Sequence, residues 1–320
     1  MTTLDRFLTG DRVALAKVIS FVEDRADGYD RVLSRIFSGG KAAYRVGLTG
    51  PPGAGKSSLV NRLAVLLADQ GLKVGIIAVD PSSPFSGGAL LGDRVRMQAL
   101  YGRPEIFVRS MATRGSSGGL AAATKDVCVV LEGFGFDIIL VETVGVGQIE
   151  LDVASVCDTV VVVFVPESGD AIQAMKSGLM EIANVFCLNK SDRPGAERIK
   201  AELESILDVH RQVRLVAKGS PPPWETPVIP TVAIRDTGIA HLWEAVFQHR
   251  QYRSQADPAG FRKARARSDL LLSLTELTHE RLERTLLESD QLNLAVEQIV
   301  SGQADPYTIA HQLFDSWRRG

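Results

Sequence analysis

The segment Gly50-Pro-Pro-Gly53-Ala54-Gly55-Lys56-Ser57 constrains this chain more than any other stretch. It follows the apolar run YRVGLT and opens directly into SSLVNRLAVLLAD, which is apolar at helical spacing. A strand, a Gly-rich loop and a helix in that order make a corner whose backbone N–H groups can wrap a phosphate. The helix N-terminus adds its partial positive charge. Lys56 would bring a point charge to β- and γ-phosphates, and the Ser57 hydroxyl would coordinate Mg²⁺. Gly50, Gly53, Ala54, Gly55 and Ser58 are the remaining expected contacts. The loop therefore predicts a nucleoside triphosphate site on an α/β domain.

The surrounding sequence supplies that domain. Strands are expected at YRVGLT, LKVGIIAVD, DIILVET, TVVVVFVP, NVFCLNK and PVIPTVA, with EIFVRS as a possible seventh. Several are apolar at consecutive positions, as in strands covered by helices on both faces. Helical patterns alternate with them, so the expected fold is a doubly wound, mostly parallel sheet over residues 44–252. Residues 1–43 show helical spacing alone. After Arg250 the stretch QYRSQADPAGFRKARARS reads as a polar linker, followed only by helices, and residues 253–320 form a C-terminal helical region. Within it, Asp305 is placed to cap a helix that has Pro306 in its first turn. These terminal helices either pack on the domain or are completed by a second copy.

Further chemistry lies between and beyond the strands. Asn189-Lys190-Ser191-Asp192 follows an apolar strand, and a carboxylate at Asp192 could accept both the N1–H and the exocyclic amine of guanine. Adenine offers no matching donor pair, and hydrogen bonds to a charged acceptor are worth roughly 1.5–3 kcal/mol each. Glu142 ends the strand IILVE with Gly145 three residues on. There it would hold Mg²⁺ through water, while the Gly145 N–H would sense the γ-phosphate. Val146 stands where related enzymes place a water-orienting glutamine, so intrinsic hydrolysis should be slow. Gln148 is a candidate for that role, a solvated loop side chain being the plainer reading. Asp80 and Asp93 are further carboxylates at the phosphate end of the sheet, unless each is an ordinary cap.

Charge and composition exclude other classes. Lys plus Arg number 36 against 38 Asp plus Glu, a net −2, so no global charge draws the chain to nucleic acid or an anionic membrane. The basic run from Arg262 to Arg267 reads as a solvated linker face. The longest apolar run, Val160–Val165, is too short to span a bilayer, and the first residues lack an apolar signal core, which points to the cytoplasm. Cys128, Cys157 and Cys187 sit in apolar strings and read as buried hydrophobes in a reducing compartment.

Taken together, GPPGAGKS, VDPSSPFSGGALLGDRVRM, GGLAAAT, ILVETVGVGQIE and NKSD resemble the MeaB/ArgK-type GTPases of the SIMIBI class over nearly the whole chain. That resemblance implies a Mg²⁺-dependent GTPase chaperone for an adenosylcobalamin-dependent acyl-CoA mutase, usually methylmalonyl-CoA mutase. Such proteins gate cofactor loading and are homodimers joined through C-terminal helices. It assigns Lys56 and Ser57 to phosphate and Mg²⁺, Asp93 and Glu142 to the metal shell, and Asn189 and Asp192 to the base. Ala233 and Ile234 fall in the segment whose backbone touches guanine, with Val232 in place of a serine. Asp170, Gln173 and Lys176 match a third switch loop that signals nucleotide state to the mutase, in a variant sequence. Arg114, where relatives carry a small residue, is either a surface side chain or an arginine finger.

Three other classes compete. A nickel-delivery GTPase would need soft or imidazole ligands, yet the five histidines are scattered and none lies near a cysteine in sequence. A kinase would need an acceptor pocket that no segment identifies. Binding to RNA would rest on the run at Arg262–Arg267 alone.

Overall fold

A computed structural model describes residues 2–37, 42–80, 100, 102–112, 119–143, 154–167, 178–215, 224–282 and 290–319. The chain divides into two compact units, Met1–Asp269 and Leu270–Gly320.

Seven parallel strands make up the sheet of the first unit: β1 (Tyr44–Thr49), β2 (Val74–Asp80), β3 (Ile106–Ala112), β4 (Ile138–Glu142), β5 (Thr159–Phe164), β6 (Val185–Leu188) and β7 (Val228–Pro230). Their order is β3-β2-β4-β1-β5-β6-β7, and every pairing is parallel. The possible strand EIFVRS is thus the edge strand β3. Positions in β1, β4, β5 and β6 are buried throughout, which explains their unbroken apolar runs.

Helices are α1 (Thr3–Leu8), α2 (Arg12–Glu23), α3 (Tyr29–Ile36), α4 (Lys56–Asp69), α5 (Gly119–Phe134), α6 (Leu179–Ile182), α7 (Ala196–Leu215), α8 (Ile239–Ala256) and α9 (Pro258–Leu282). Side chains alternate across each strand, so one set meets α4 and α8: Val46, Leu48, Leu140, Val161 and Val163 pack with Leu59, Leu63, Leu67, Leu242 and Val246. Burying each such aliphatic side chain contributes about 1.5–3 kcal/mol. The N-terminal helices α2 and α3 lie against α5. Their apolar stripe of Leu15, Val18, Ile19, Val22 and Ile36 is buried there, so these helices pack on the first unit.

The expected polar linker after Arg250 is helical instead. Helix α8 continues to Ala256, the helix is interrupted at Asp257, and α9 starts at Pro258, where a missing N–H costs nothing. The Asp257 carboxylate accepts from the Gly260 N–H at 2.8 Å and so caps the new helix. Nor is the basic run wholly solvated. Arg265 pairs with Glu132 and with Asp158, the latter at 3.2 Å, and the Ser268 hydroxyl donates to the Ser155 carbonyl at 3.0 Å.

The second unit holds the end of α9 and two further helices, α10 (Asp290–Val300) and α11 (Pro306–Arg319). Asp305 caps α11 by accepting from the Tyr307 and Thr308 N–H groups, both at 2.9 Å. Leu271, Leu274, Leu277, Leu294, Val300 and Phe314 are exposed in this unit. Among the described residues, no helix is long and apolar enough to cross a membrane.

Candidate functional site

The carboxyl end of β1 lies between β4 and β5, where the chain order reverses across the sheet. In open α/β sheets the crevice that receives ligands opens at that point. The Gly-rich loop 50–55 fills it. Gly50 has φ +134°, and a Cβ there would lie 2.2 Å from the Val163 carbonyl oxygen of β5. Only glycine fits. Gly55 has φ +89°, and a Cβ would meet the Asn189 amide nitrogen at 2.4 Å. Gly53 is also left-handed, at φ +75°. The loop thus turns tightly and delivers the N-terminus of α4, which starts at Lys56, to the crevice.

Lys56 is buried, and its Nζ donates to the Gly50 and Pro51 carbonyls at 2.7 and 2.9 Å. The Ser57 hydroxyl donates to Glu142 Oε1 at 2.6 Å. Glu142 is the last residue of β4 and lies in register with Leu48 of β1, so sheet pairing alone carries this carboxylate to the serine. A hydroxyl and a carboxylate in contact beside a buried ammonium give hard oxygen donors for a divalent cation and a positive charge for a phosphate. Ser58 follows on the first turn of α4.

A second loop is fastened to the first. Asn189, at the end of β6, is 2% exposed. Its Nδ2 donates to the Ala54 carbonyl at 2.8 Å, while its Oδ1 accepts from the Ala233 N–H at 3.1 Å and the Thr231 hydroxyl at 3.2 Å. One side chain therefore fixes the phosphate loop, the strand end and the 231–234 segment together. Lys190 adopts φ +56° and donates from Nζ to the Gly53 carbonyl at 2.8 Å. Asp192 pairs with Arg235 at 3.5 Å. Arg62 on α4 donates to the Ala233 carbonyl at 3.2 Å, and Ile234 is exposed beside it. The Ser191 N–H donates to the Thr231 carbonyl at 3.0 Å.

Lys56, Ser57 and Glu142 are thus in one place, and Asn189, Lys190, Asp192, Ala233 and Ile234 border it. Asp80 ends β2 at the same edge of the sheet; its side chain is outside the described residues. Asp93, Arg114, Gly145, Gln148, Asp170, Gln173 and Lys176 also lie outside them. The start of the third-loop segment is described: Glu167 pairs with Arg193 just after the Asn189–Asp192 loop, and that hydrogen bond holds its carboxyl below the ordinary glutamate range.

Three buried threonines that the sequence does not single out also stand at this edge. The Thr143 hydroxyl donates to that of Thr49 at 2.9 Å, and Thr231 bonds Asn189 and lies 3.2 Å from the Cys187 sulfur. All three are buried. Each is the residue at which an apolar strand ends, in GLT, VET and IPT, and that repeat was the available signal. Cys128 and Cys187 are fully buried, and burial pushes both thiols up to about 12, so they remain protonated and apolar in behaviour. Cys157 is partly buried.

A parallel doubly wound sheet with a Gly-rich strand–loop–helix corner and an Asn-Lys-x-Asp loop tied to it defines a P-loop GTPase. The family model described as methylmalonyl Co-A mutase-associated GTPase MeaB matches residues 15–291. The chain belongs to that MeaB/ArgK-type family and is a guanine-nucleotide-binding GTPase.

A Pyrococcus horikoshii protein whose name designates a GTPase is 41% identical over 308 residues, 96% of this chain and 95% of the relative. The methylmalonic aciduria type A homolog of Mus musculus is 33% identical over 338 residues, covering 98% and 80%. GTPase ArgK of Escherichia coli is 34% identical over 251 residues, covering 76% and 74%. A solved structure of a LAO/AO transport system kinase superposes with a TM-score of 0.70 at 24% identity, spanning 99% of this chain and 96% of the other, and shares the fold.

Proposed function

We propose that this chain is a Mg²⁺-dependent GTPase switch that serves an adenosylcobalamin-dependent acyl-CoA mutase of the methylmalonyl-CoA mutase type. In this reading it gates cofactor loading and protects or reactivates the mutase. The observation that carries the nucleotide reading is the Asn189 bridge, which ties phosphate loop to base loop through a single buried amide. The client follows from the family's description and from the mouse relative named for methylmalonic aciduria.

Within the site, Asp192 reads guanine, and Ala233 and Ile234 border the base. Lys56 exchanges its carbonyl partners for phosphate oxygens. Mg²⁺ fits the donors present, because the Ser57 hydroxyl and the Glu142 carboxylate already touch and both are hard oxygen ligands. Asp80 and Asp93 complete the proposed metal shell, Gln148 orients water, and the Gly145 N–H senses the γ-phosphate. When bound, the ion offsets charge on the β- and γ-phosphate oxygens. Asp170, Gln173 and Lys176 carry nucleotide state to the mutase.

Residues 44–252 act as the GTPase domain, residues 1–43 as a helical arm on it, and residues 253–320 as the dimerisation region. The exposed leucines of α9 and α10 support a homodimer. The direct test of the site is hydrolysis by Lys56→Ala, with the unaltered chain assayed in Mg²⁺ and in excess EDTA. Turnover should vanish in the variant and in EDTA and return with added Mg²⁺. Full turnover in either condition would remove the phosphate and metal assignments.

A further inference from the structure

A cavity of about 640 Å³ opens at the other edge of the sheet, within the first unit. Tyr44, the first residue of β1, lines it, whereas Thr49 at the far end leads into the phosphate loop. Five residue steps at roughly 3.3 Å each put the two sites about 16 Å apart along the strand. The cavity is therefore separate from the nucleotide crevice, and its size is that of a small-molecule pocket, roughly 300–1,000 Å³.

Its wall has two parts. One is apolar: Ile36, Phe37, Val129 and Phe261, with the Tyr44 ring. The other is an ionic cluster with five arginines and three carboxylates, an excess of two positive charges in a chain whose net charge is −2. The carboxylates are already engaged. Arg45 is 1% exposed and donates from Nε to Glu132 at 2.9 Å; Arg265 pairs with Glu132 and Asp158; Arg253 pairs with Asp158 at 3.6 Å; and Arg45 lies 3.7 Å from Asp269. These pairs hold β1, α5, α8 and α9 together and set the shape of the floor.

The two remaining arginines differ. Arg250 lies over the Tyr44 ring, 5.0 Å from its centroid, and Arg262 donates from Nε to the Pro258 carbonyl at 3.3 Å. Among the described residues neither reaches a carboxylate within ion-pairing distance. Both are exposed at the cavity's mouth. Two guanidinium groups with no carboxylate partner among the described residues, over an apolar pocket, suit a ligand with a negative head and an apolar body, because a planar guanidinium matches carboxylate and phosphate oxygens. A purely apolar ligand would leave both guanidinium charges unused, and an inorganic anion would leave the aromatic wall unused.

We propose that this cavity binds a small amphipathic organic anion, a carboxylate or phosphate monoester head on an apolar body, with Arg250 and Arg262 gripping the head. The site rests on α9 as well as α8. The reading is independent of the mutase assignment, since it uses no residue of the nucleotide site.

Titration calorimetry on the full chain loaded with GDP tests it, with octyl phosphate, octanoate, 1-octanol and inorganic phosphate as probes. At least one of the two amphipathic anions should bind at a single site, about tenfold or more tighter than octanol or inorganic phosphate, as expected for hydrogen bonds to a charged group. The tighter of the two identifies the head. The double variant Arg250→Gln/Arg262→Gln should lose at least about tenfold of that affinity while GDP binding stays unchanged, which also reports an intact fold. Phe261→Ala should weaken whichever amphipathic anion binds and leave inorganic phosphate unaffected. The proposal is overturned if neither anion binds, if octanol or inorganic phosphate binds as well as they do, or if the double variant retains full affinity.

Discussion

Asn189→Ala is the substitution whose consequences follow most directly from the structure. It deletes an amide that is 2% exposed and makes three hydrogen bonds. The Thr231 hydroxyl keeps the Cys187 sulfur nearby at 3.2 Å. The Ala54 carbonyl and the Ala233 N–H lose a partner in a place where both residues are buried. An orphaned buried polar group costs about 1–3 kcal/mol, so the pair predicts a loss of about 2–6 kcal/mol. For a unit of this size that corresponds to a melting temperature lower by roughly 4–24 °C.

The deleted bonds join the phosphate loop to the base loop, so nucleotide affinity should fall with stability. Thermal melting with and without GDP, together with titration of a fluorescent GDP analogue, reads both quantities. Affinity should drop by more than about tenfold, since holding the two loops in register is binding energy prepaid by the fold. Thr231→Val, which removes one of the three bonds and leaves both backbone groups satisfied, should do much less. If Asn189→Ala melts within about 2 °C of the unaltered chain and binds GDP equally well, the two loops are held by something else and the bridge is not what organises the site.

Two further outcomes are expected. Asp192→Asn should shift preference from guanosine to xanthosine triphosphate, measured by competition against the fluorescent analogue; an unchanged preference would place base recognition elsewhere. Stability should also fall on acidification through His249. Burial, with the nearby Arg253 charge adding to it, pushes this imidazole down to about 4, and its Nδ1 lies 2.7 Å from the Thr159 hydroxyl. Above the ordinary histidine value of about 6.5 the ring is neutral in folded and unfolded chains alike, and its contribution is fully present. Between about 6.5 and 4 the unfolded chain takes up a proton that the folded one refuses, so stability declines by up to about 3 kcal/mol. Melting between pH 7 and 4.5 should be steeper in the unaltered chain than in His249→Asn.

The sheet was readable because its strands are covered on both faces, which forces β-branched residues into consecutive positions such as Val160–Val163. The edge strand β3 was ambiguous because Arg109 interrupts it, and that side chain turns out to reach Glu23 on α2, donating from Nε at 3.0 Å. The stretch after Arg250 was misread for a related reason. Its arginines look like a solvated linker, but Arg265 meets partners 107 and 133 residues away in the chain. Local composition cannot show that a charge is neutralised by a distant carboxylate. The Gly-rich loop 50–55 and the Asn189–Asp192 loop stood out because their residues are contiguous in the chain. That Asn189 fastens one loop to the other was not legible, since its three partners lie 42 to 135 residues away in the chain, and the threonine contacts were hidden for the same reason.

The proposed client of this GTPase is a cobalamin-dependent mutase. Steady-state GTP hydrolysis by the full chain, titrated with methylmalonyl-CoA mutase and with ATP as the control nucleotide, tests it most directly. Slow, GTP-selective turnover that rises saturably with mutase concentration is the expected result. GTP turnover that is indifferent to the mutase at every concentration, in its apo and cofactor-loaded forms alike, would contradict the claim.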